Sequence, residues 1–208
     1  MHHFIVGRLR GSQALPPHIV DGMYRLRYRV FHERLSWDVK IDRGLEFDEF
    51  DDESSIYVVG YDETSGSVDA AWRIRPTTTP YMLKSTFPQL LDRPAPESAA
   101  TWEVSRFAVL NTPYADDNGS GSFGRLTREL VAHTVMLGVR YGIGNFIWVT
   151  SLGVERMARK LGYKVERWGR PQMIGRVNCV VNNIPLTAQS IGLALRQLGF
   201  AQHAREAA

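Results

Sequence analysis

Six charged side chains in this 208-residue chain have the types and spacing for chemistry: the carboxylates Asp48, Asp51 and Glu103 and the guanidiniums Arg27, Arg73 and Arg106. Buried alone, any of them would be costly, so such groups pair or react. If they converge, they form a charge-balanced network able to hold a small zwitterion. The carboxylates would bind an ammonium or help to remove its proton, and an arginine would bind a carboxylate. Phe31 and Trp37 would add aromatic faces for a purine or a sulfonium. The stretch around which the chain is organised is Trp102-Glu103-Val104-Ser105-Arg106-Phe107-Ala108-Val109, where Glu103 and Arg106 interrupt a buried strand. With a side-chain period of two they point to opposite faces unless a bulge intervenes, and bulges re-aim side chains beside active sites. A structural ion pair at a strand end fits this octapeptide equally well.

The elements that must position these residues alternate between helix and strand. From His18 to Leu35, Ile19, Met23, Leu26, Val30 and Phe31 recur at helical spacing. Arg27 shares a turn-spaced stripe with Met23 and Phe31 and can point inward, whereas Arg25, Arg29 and Arg34 suit a solvated face. Trp37 follows the helix end. The acidic run from Asp42 to Glu53 has the composition of an exposed loop, but Phe47 and Phe50 suggest that it lies against the body. Ser55–Tyr61 and Val68–Arg75 form a hairpin around Gly66, with Arg73 inside the second strand. Tyr81–Leu91 is a short amphipathic helix leading, through a proline-containing loop, to the central strand.

Beyond that strand, 111–124 reads as a polar, glycine-rich loop and Phe123–Tyr141 as the strongest helix. Asn145–Thr150 is an apolar strand of the kind buried inside a sheet. A helix at Val154–Leu161, strands at Tyr163–Trp168 and Ile174–Asn182, and a helix at Thr187–Leu198 complete the pattern. The tail after Phe200 is polar and alanine-rich, the composition of a disordered end. The early hairpin is antiparallel, so the sheet is mixed. The economical architecture is a single three-layer α/β domain over 1–208, a mixed β-sheet flanked by helices.

Composition bounds the function. Hydrophobic content of 44% and charged content of 23% are ordinary for a soluble globular protein. A net charge of +3, nearly all of it arginine, fits an acidic partner but is too weak to argue for nucleic acid. The single Cys179 excludes an intramolecular disulfide and a cysteine-rich zinc site. No His-Glu-x-x-His, Gly-x-Ser-x-Gly or Walker loop occurs, and the scattered histidines give no reason to expect a metal. The first residues lack a signal-peptide core and no apolar run is long enough for a membrane span, so a cytoplasmic protein is expected.

In order and spacing, Arg27-x-x-x-Phe31, Trp37, Asp48-x-x-Asp51, Arg73-x-x-Pro76 and Glu103-x-x-Arg106 resemble the signature of the LuxI-type acyl-homoserine-lactone synthases. Pro76-Thr77-Thr78-Thr79-Pro80-Tyr81-Met82-Leu83, and Val149-Thr150 followed by Gly153-Val154-Glu155-Arg156, extend the resemblance over about Tyr24 to Asn182.

The resemblance implies a fold like the GCN5-related N-acetyltransferases, with a cleft where two central strands splay. It implies transfer of an acyl chain from acyl carrier protein to the amine of S-adenosylmethionine. Lactone closure then releases methylthioadenosine, and the lactone serves as a quorum-sensing signal. S-adenosylmethionine is a co-substrate, so no resident cofactor is expected. By analogy Glu103 is the base, acting through a water, with Asp48 and Arg106 beside it at the catalytic centre. Arg27, Phe31, Trp37, Asp48, Asp51, Arg73 and Arg106 build the S-adenosylmethionine pocket, some of them as salt bridges behind it. Val104, Ser105, Phe107, Leu126, Val149 and Thr150 are expected along the acyl chain, as are Leu130 and Ile147, although for most of the apolar ones plain core is the simpler reading. Thr150 matches a position beside the third carbon, where a threonine goes with an oxygen substituent. Arg156, Lys160 and Arg167 match basic positions that dock the acidic carrier protein, although a solvated basic helix face reads the same way.

Two other classes fit less well. An acetyl-CoA-dependent N-acyltransferase of this fold needs Arg/Gln-x-x-Gly-x-Gly/Ala at a helix N-terminus to cradle the pyrophosphate. The equivalent stretch here, 116–124, lacks the basic or amide residue and carries Asp116 and Asp117. A nucleic-acid-binding regulator would need a helix-turn-helix or a dense basic stripe, and neither is evident.

Overall fold

The computed structural model describes residues 2–110 and 124–200. The loop at 111–124, apart from Gly124, and the tail after Phe200 therefore fall outside the described residues.

The chain opens with β1 (His2–Gly7), an edge strand that composition alone did not reveal. Helix α1 (Pro17–Arg27) begins at a proline, whose fixed φ and missing N–H suit a first turn. It continues without a break into π-helical turns at Tyr28–Arg34, where the Leu35 N–H donates to the Val30 carbonyl. This wider winding ends the single helix expected over His18–Leu35 and carries the chain to Trp37. π-helical turns are scarce, and they gather at functional sites.

The acidic run is not a free loop. It contains a two-stranded ribbon, β2 (Ile41–Asp42) and β3 (Leu45–Glu46), and Phe50 is buried. The expected hairpin follows as β4 (Ile56–Asp62) and β5 (Val68–Pro76). The helix expected over Tyr81–Leu91 is shorter: α2 (Met82–Thr86), then a 3-10 turn at Pro88–Leu90. Pro88 has no N–H to continue α-helical bonding.

The second half comprises β6 (Thr101–Val109), α3 (Arg125–Arg140), β7 (Asn145–Ser151), α4 (Leu152–Lys160), β8 (Glu166–Arg167), β9 (Gln172–Ile174), β10 (Val177–Pro185) and α5 (Ala188–Gln197). The Ser151 side chain caps α4, and Thr187 with Ser190 forms a capping box on α5. Gly175, with φ of 59°, turns β9 back onto β10, which is why the single strand expected over Ile174–Asn182 is a hairpin.

These strands form one sheet in the order β1-β4-β5-β6-β7-β10-β8, with β9 also on β10. Only β6 and β7 run parallel. One face packs on α3, α4 and α5 through Trp72, Val104, Leu130, Val135, Phe146 and Trp148. The other packs on α1 through Met23, Leu26, Phe31, Tyr57 and Ala71, and on the α2 region through Leu83, Ile147 and Val181. This is the three-layer mixed α/β architecture.

Two irregularities position the site. The parallel pairing of β6 with β7 ends at Glu103–Ile147, although β6 runs on to Val109 and β7 to Ser151. The two strands splay beyond that point and open a cleft at their C-terminal ends, where open α/β sheets place their ligands. The second lies between β5 and β6, whose register moves from Arg73–Ser105 to Ala71–Ala108, so β6 has one extra residue there. Arg106 occupies this bulge with φ of 57°, a left-handed conformation that a non-glycine residue adopts only when its surroundings hold it.

Candidate active site

The bulge resets the alternation of β6. Val104, Phe107 and Val109 face the α3 layer, and Ala108 faces α1. Glu103 and Arg106 both come out on the α1 side, where each reaches Met82.

There the acidic segment folds over three arginines. Arg27, from α1, donates Nε to Glu46 Oε2 at 2.5 Å and both Nη atoms to the Asp51 carboxylate at 2.8 and 2.9 Å. Arg73, from β5, donates to Asp48 Oδ1 at 2.5 Å, Asp51 Oδ1 at 3.0 Å and Ser105 Oγ at 3.1 Å. Arg106 donates Nε to Glu46 Oε1 at 2.9 Å, and its Nη2 lies 2.9 Å from Asp48 Oδ2. The Asp48 N–H and the Tyr57 hydroxyl also donate to Asp51. Burial alone would raise the Asp51 pKa, but the Arg27 and Arg73 guanidiniums outweigh it and hold the carboxyl well below its usual range.

Arg27 and Arg73 are fully committed and buried, whereas the Arg106 side chain keeps 13% exposure. Among the described residues its Nη1 meets only the Met82 sulfur, at 3.3 Å, a weak acceptor. Arg106 therefore has a guanidinium edge for an incoming carboxylate. Its positive centre lies 5.5 Å from the Phe31 ring centroid, and Phe31 stacks on Trp37 with ring centroids 5.3 Å apart. Trp37 is partly exposed and lines a surface groove of about 520 Å³ with Tyr28, His32 and Val39.

Glu103 is the outlier of the cluster. Among the described residues no guanidinium pairs with it; its carboxylate accepts the backbone N–H groups of Met82 at 3.1 Å and Leu83 at 2.6 Å. Burial pushes its pKa up despite these bonds. Two bonds leave acceptor capacity on a carboxylate, which has about four lone-pair sites. A buried carboxylate with a raised pKa beside a cleft is suited to taking a proton near neutral pH. Counting Glu103 with Glu46, Asp48 and Asp51, four carboxylates face three guanidiniums, and the remaining negative charge favours a cationic ligand.

The six charged residues singled out by sequence do converge. Glu46 was not among them, although it is fully buried and bridges Arg27 to Arg106. Its signal was faint: one acidic residue between Leu45 and Phe47 inside an acidic run. Arg75, which bonds Asp52 and the Phe50 carbonyl and so anchors that run, was also missed.

On the opposite face, Trp72, Val104, Phe107, Val135, Trp148 and Ala158 line an apolar cavity of about 40 Å³ between the sheet, α3 and α4. Leu126 packs against the same core, and Leu130 is buried in it. Thr150 pairs with Val180 in the β7–β10 ladder and is half-buried. Three of the residues expected along the acyl chain lie across the sheet from this cavity. Ser105 lies across the sheet, bonded by Arg73, because regular alternation ahead of the bulge keeps it in phase with Glu103. Val149 packs, like Ile147, with the α2-side cluster, since β7 turns alternate residues away from the cavity.

Arg156, Arg159 and Lys160 are exposed on α4, as is Arg167 on β8. Arg167 and Arg159 both bond the Glu155 carboxylate, which is 1% exposed. Burial would raise the Glu155 pKa, but these two guanidiniums reverse it. Arg167 thus secures α4 to β8 besides adding to the basic face.

Comparison with known proteins gives a consistent picture. Residues 14–192 match the family described as autoinducer synthase. The chain is 35% identical over 179 residues to the acyl-homoserine-lactone synthase of Aliivibrio fischeri, with 85% of this chain and 91% of that one covered. Among solved structures, the AHL synthase LasI superposes with a TM-score of 0.80 at 33% identity, covering 93% of this chain and 94% of that one. TofI, solved in a ternary complex with an inhibitor and MTA, gives 0.76 at 33% identity, covering 92% and 95%. Two more distant structures share the fold alone. The CoA-dependent acyl-homoserine lactone synthase BjaI has a TM-score of 0.82 at 22% identity, covering 96% and 90%. A putative N-acetyltransferase from Lactobacillus plantarum has 0.59 at 16%, covering 89% and 99%.

Proposed function

The chain belongs to the autoinducer synthase family and is an acyltransferase, and from that premise we propose that it moves an acyl chain from acyl carrier protein to S-adenosylmethionine and then closes a homoserine lactone. The observation that carries the reading is Glu103: a buried carboxylate with a raised pKa at the mouth of the β6–β7 splay, added to a cluster otherwise balanced at three carboxylates and three guanidiniums. An ammonium is not a nucleophile. Glu103 takes its proton through a water, the freed amine attacks the thioester carbon, and the carrier thiolate leaves. The substrate carboxylate then attacks the carbon bonded to the sulfonium. A C–O bond forms as the C–S bond breaks, and neutral methylthioadenosine departs. This second step needs alignment more than acid–base help. Arg106 supplies it through its Nη1, held only by the weak Met82 sulfur acceptor, with Trp37, backed by the buried Phe31, offering an aromatic face to the cation. Arg27, Arg73, Asp48 and Asp51 hold that wall in place, chiefly through each other.

Acyl carrier protein is acidic, and the Arg156–Lys160 face of α4 with neighbouring Arg167 is the surface that suits it. The lactone is a quorum-sensing signal made in the cytoplasm; among the described residues no helix is long and apolar enough to cross a membrane.

The test presents S-adenosylmethionine with one acyl chain on carrier protein or on CoA, and follows lactone and methylthioadenosine by mass spectrometry. The reading expects equimolar products and a higher kcat/KM for the carrier donor. It also expects Arg156→Glu to raise KM for the carrier donor and leave that for CoA unchanged. Equal or better use of acyl-CoA would contradict the choice of donor.

A further inference from the structure

Trp148 and Asn182 face each other across the β7–β10 ladder, and both bury polar atoms that have no hydrogen-bond partner among the described residues. These are the indole Nε1–H of Trp148 and both Nδ2 and Oδ1 of Asn182. Asn182 is fully buried. Ile184, two residues along and on the same face of β10, lines the apolar cavity, as does Trp148 itself. The cavity walls include Val104, Phe107, Val135 and Ala158, which have nothing to offer a polar group, and Thr134 and Tyr163, whose hydroxyls donate to the Leu130 carbonyl and Gln197 Oε1. Buried polar atoms are almost always paired, because leaving one unpaired forfeits its hydration without return. Here three such atoms belong to one cross-strand pair on the cavity side of the β7–β10 ladder, with Trp148 itself on the cavity wall.

Their chemistry is specific. An indole is a donor only, whereas a carboxamide both donates and accepts. A ketone oxygen would accept from Trp148 Nε1–H and Asn182 Nδ2–H together. A hydroxyl could accept one of these and donate to Asn182 Oδ1. A plain methylene chain would satisfy none of them.

We propose that Trp148 and Asn182 form a polar subsite of the acyl cavity that holds a ketone or hydroxyl oxygen carried on the acyl chain, so that oxygenated acyl donors are selected over plain ones. This rests on the acyltransferase reading above. It gives the discrimination a physical basis: a site built to hydrogen-bond an oxygen rejects the analogue lacking it more strongly than an apolar wall rejects a missing methylene.

The experiment uses the full chain with S-adenosylmethionine and acyl carrier proteins bearing chains of equal length. The chains are plain, or carry a ketone or hydroxyl at the third carbon or further along. Asn182→Leu and Trp148→Phe remove the polar atoms while keeping most of the apolar bulk. The wild type should turn over at least one oxygenated donor about tenfold or more better in kcat/KM than its plain counterpart. Either variant should reduce that ratio to near one, and Asn182→Leu should melt at the same or a higher temperature. Equal kcat/KM for plain and oxygenated donors in the wild type overturns the subsite, as does a preference that the folded variants retain. In both cases lactone is still formed, which separates this failure from failure of the synthase reading, where no donor yields lactone.

Discussion

Glu103 and Arg106 stand on the same face of β6, both in contact with Met82, because one extra residue at the bulge cancels the alternation that would have separated them. That single register change joins the proposed base to the proposed carboxylate-binding group. Arg106 carries φ of 57° to achieve it. The account predicts that Arg106→Lys, which keeps the charge but loses the planar fork, lowers kcat/KM for S-adenosylmethionine by about 10–100-fold, equivalent to one or two strong hydrogen bonds. Steady-state kinetics would check this. An unchanged kcat/KM would remove Arg106 from substrate binding.

Arg27 should behave differently, as a structural ion. It is buried and bonded to Glu46 and Asp51. Removing one partner of a buried ion pair leaves the others uncompensated, and Arg27→Ala is expected to cost about 3–5 kcal/mol of folding stability. Urea unfolding would measure it. A loss below about 1 kcal/mol, the level of an exposed pair, would contradict the burial argument.

The pH dependence of stability has two opposing parts. Asp51 is held below its usual range in the folded state, so its ionised form stabilises the protein above about pH 4 and that contribution is lost as pH falls further. Glu103 is raised by burial, so its contribution has the other sign and stability declines as pH rises from about 4 through its folded value. Glu103→Gln should therefore be at least as stable as the wild type at neutral pH, with the difference shrinking towards about pH 4. Urea midpoints for both proteins across that range would show it. A variant that is less stable at neutral pH but equal at acid pH would reverse the assigned sign.

Much of this arrangement was legible in the sequence. Arg27, Arg73, Glu103 and Arg106 interrupt apolar patterns in α1, β5 and β6, where a charge without a purpose is expensive, and Asp48 and Asp51 stand beside Phe47 and Phe50 in the acidic run. The bulge was legible only as a condition, since nothing in Ser105-Arg106-Phe107 announces φ > 0; tertiary contacts impose it. Glu46 was hidden because a two-residue strand has no periodicity to read. β1 was hidden because an edge strand half-exposed along its length lacks a strong apolar pattern. Which face Ser105, Ile147 and Val149 take was not legible, because face assignment requires register, and register is set by pairing partners far away in sequence.

The basic face of α4 gives a prediction that separates docking from folding. Arg167→Ala removes bonds to the buried Glu155 carboxylate and should lower stability by roughly 1–3 kcal/mol. Arg156→Glu should instead act on KM for the carrier donor, with the smaller stability change typical of a surface site. Thermal melts and donor kinetics on both variants would settle the division. A large loss of stability in Arg156→Glu with unchanged KM would reverse it.

The most direct test of the central claim is kcat for Glu103→Gln measured against pH beside the wild type. With Glu103 as the base, the wild-type rate should fall on the acid side through the raised pKa of that carboxyl. The folded variant should lose about 100-fold or more in kcat, with little change in KM for S-adenosylmethionine, and its residual rate should climb with pH as the substrate amine deprotonates unaided. A variant that keeps wild-type kcat and the wild-type pH profile would show that the proton goes elsewhere.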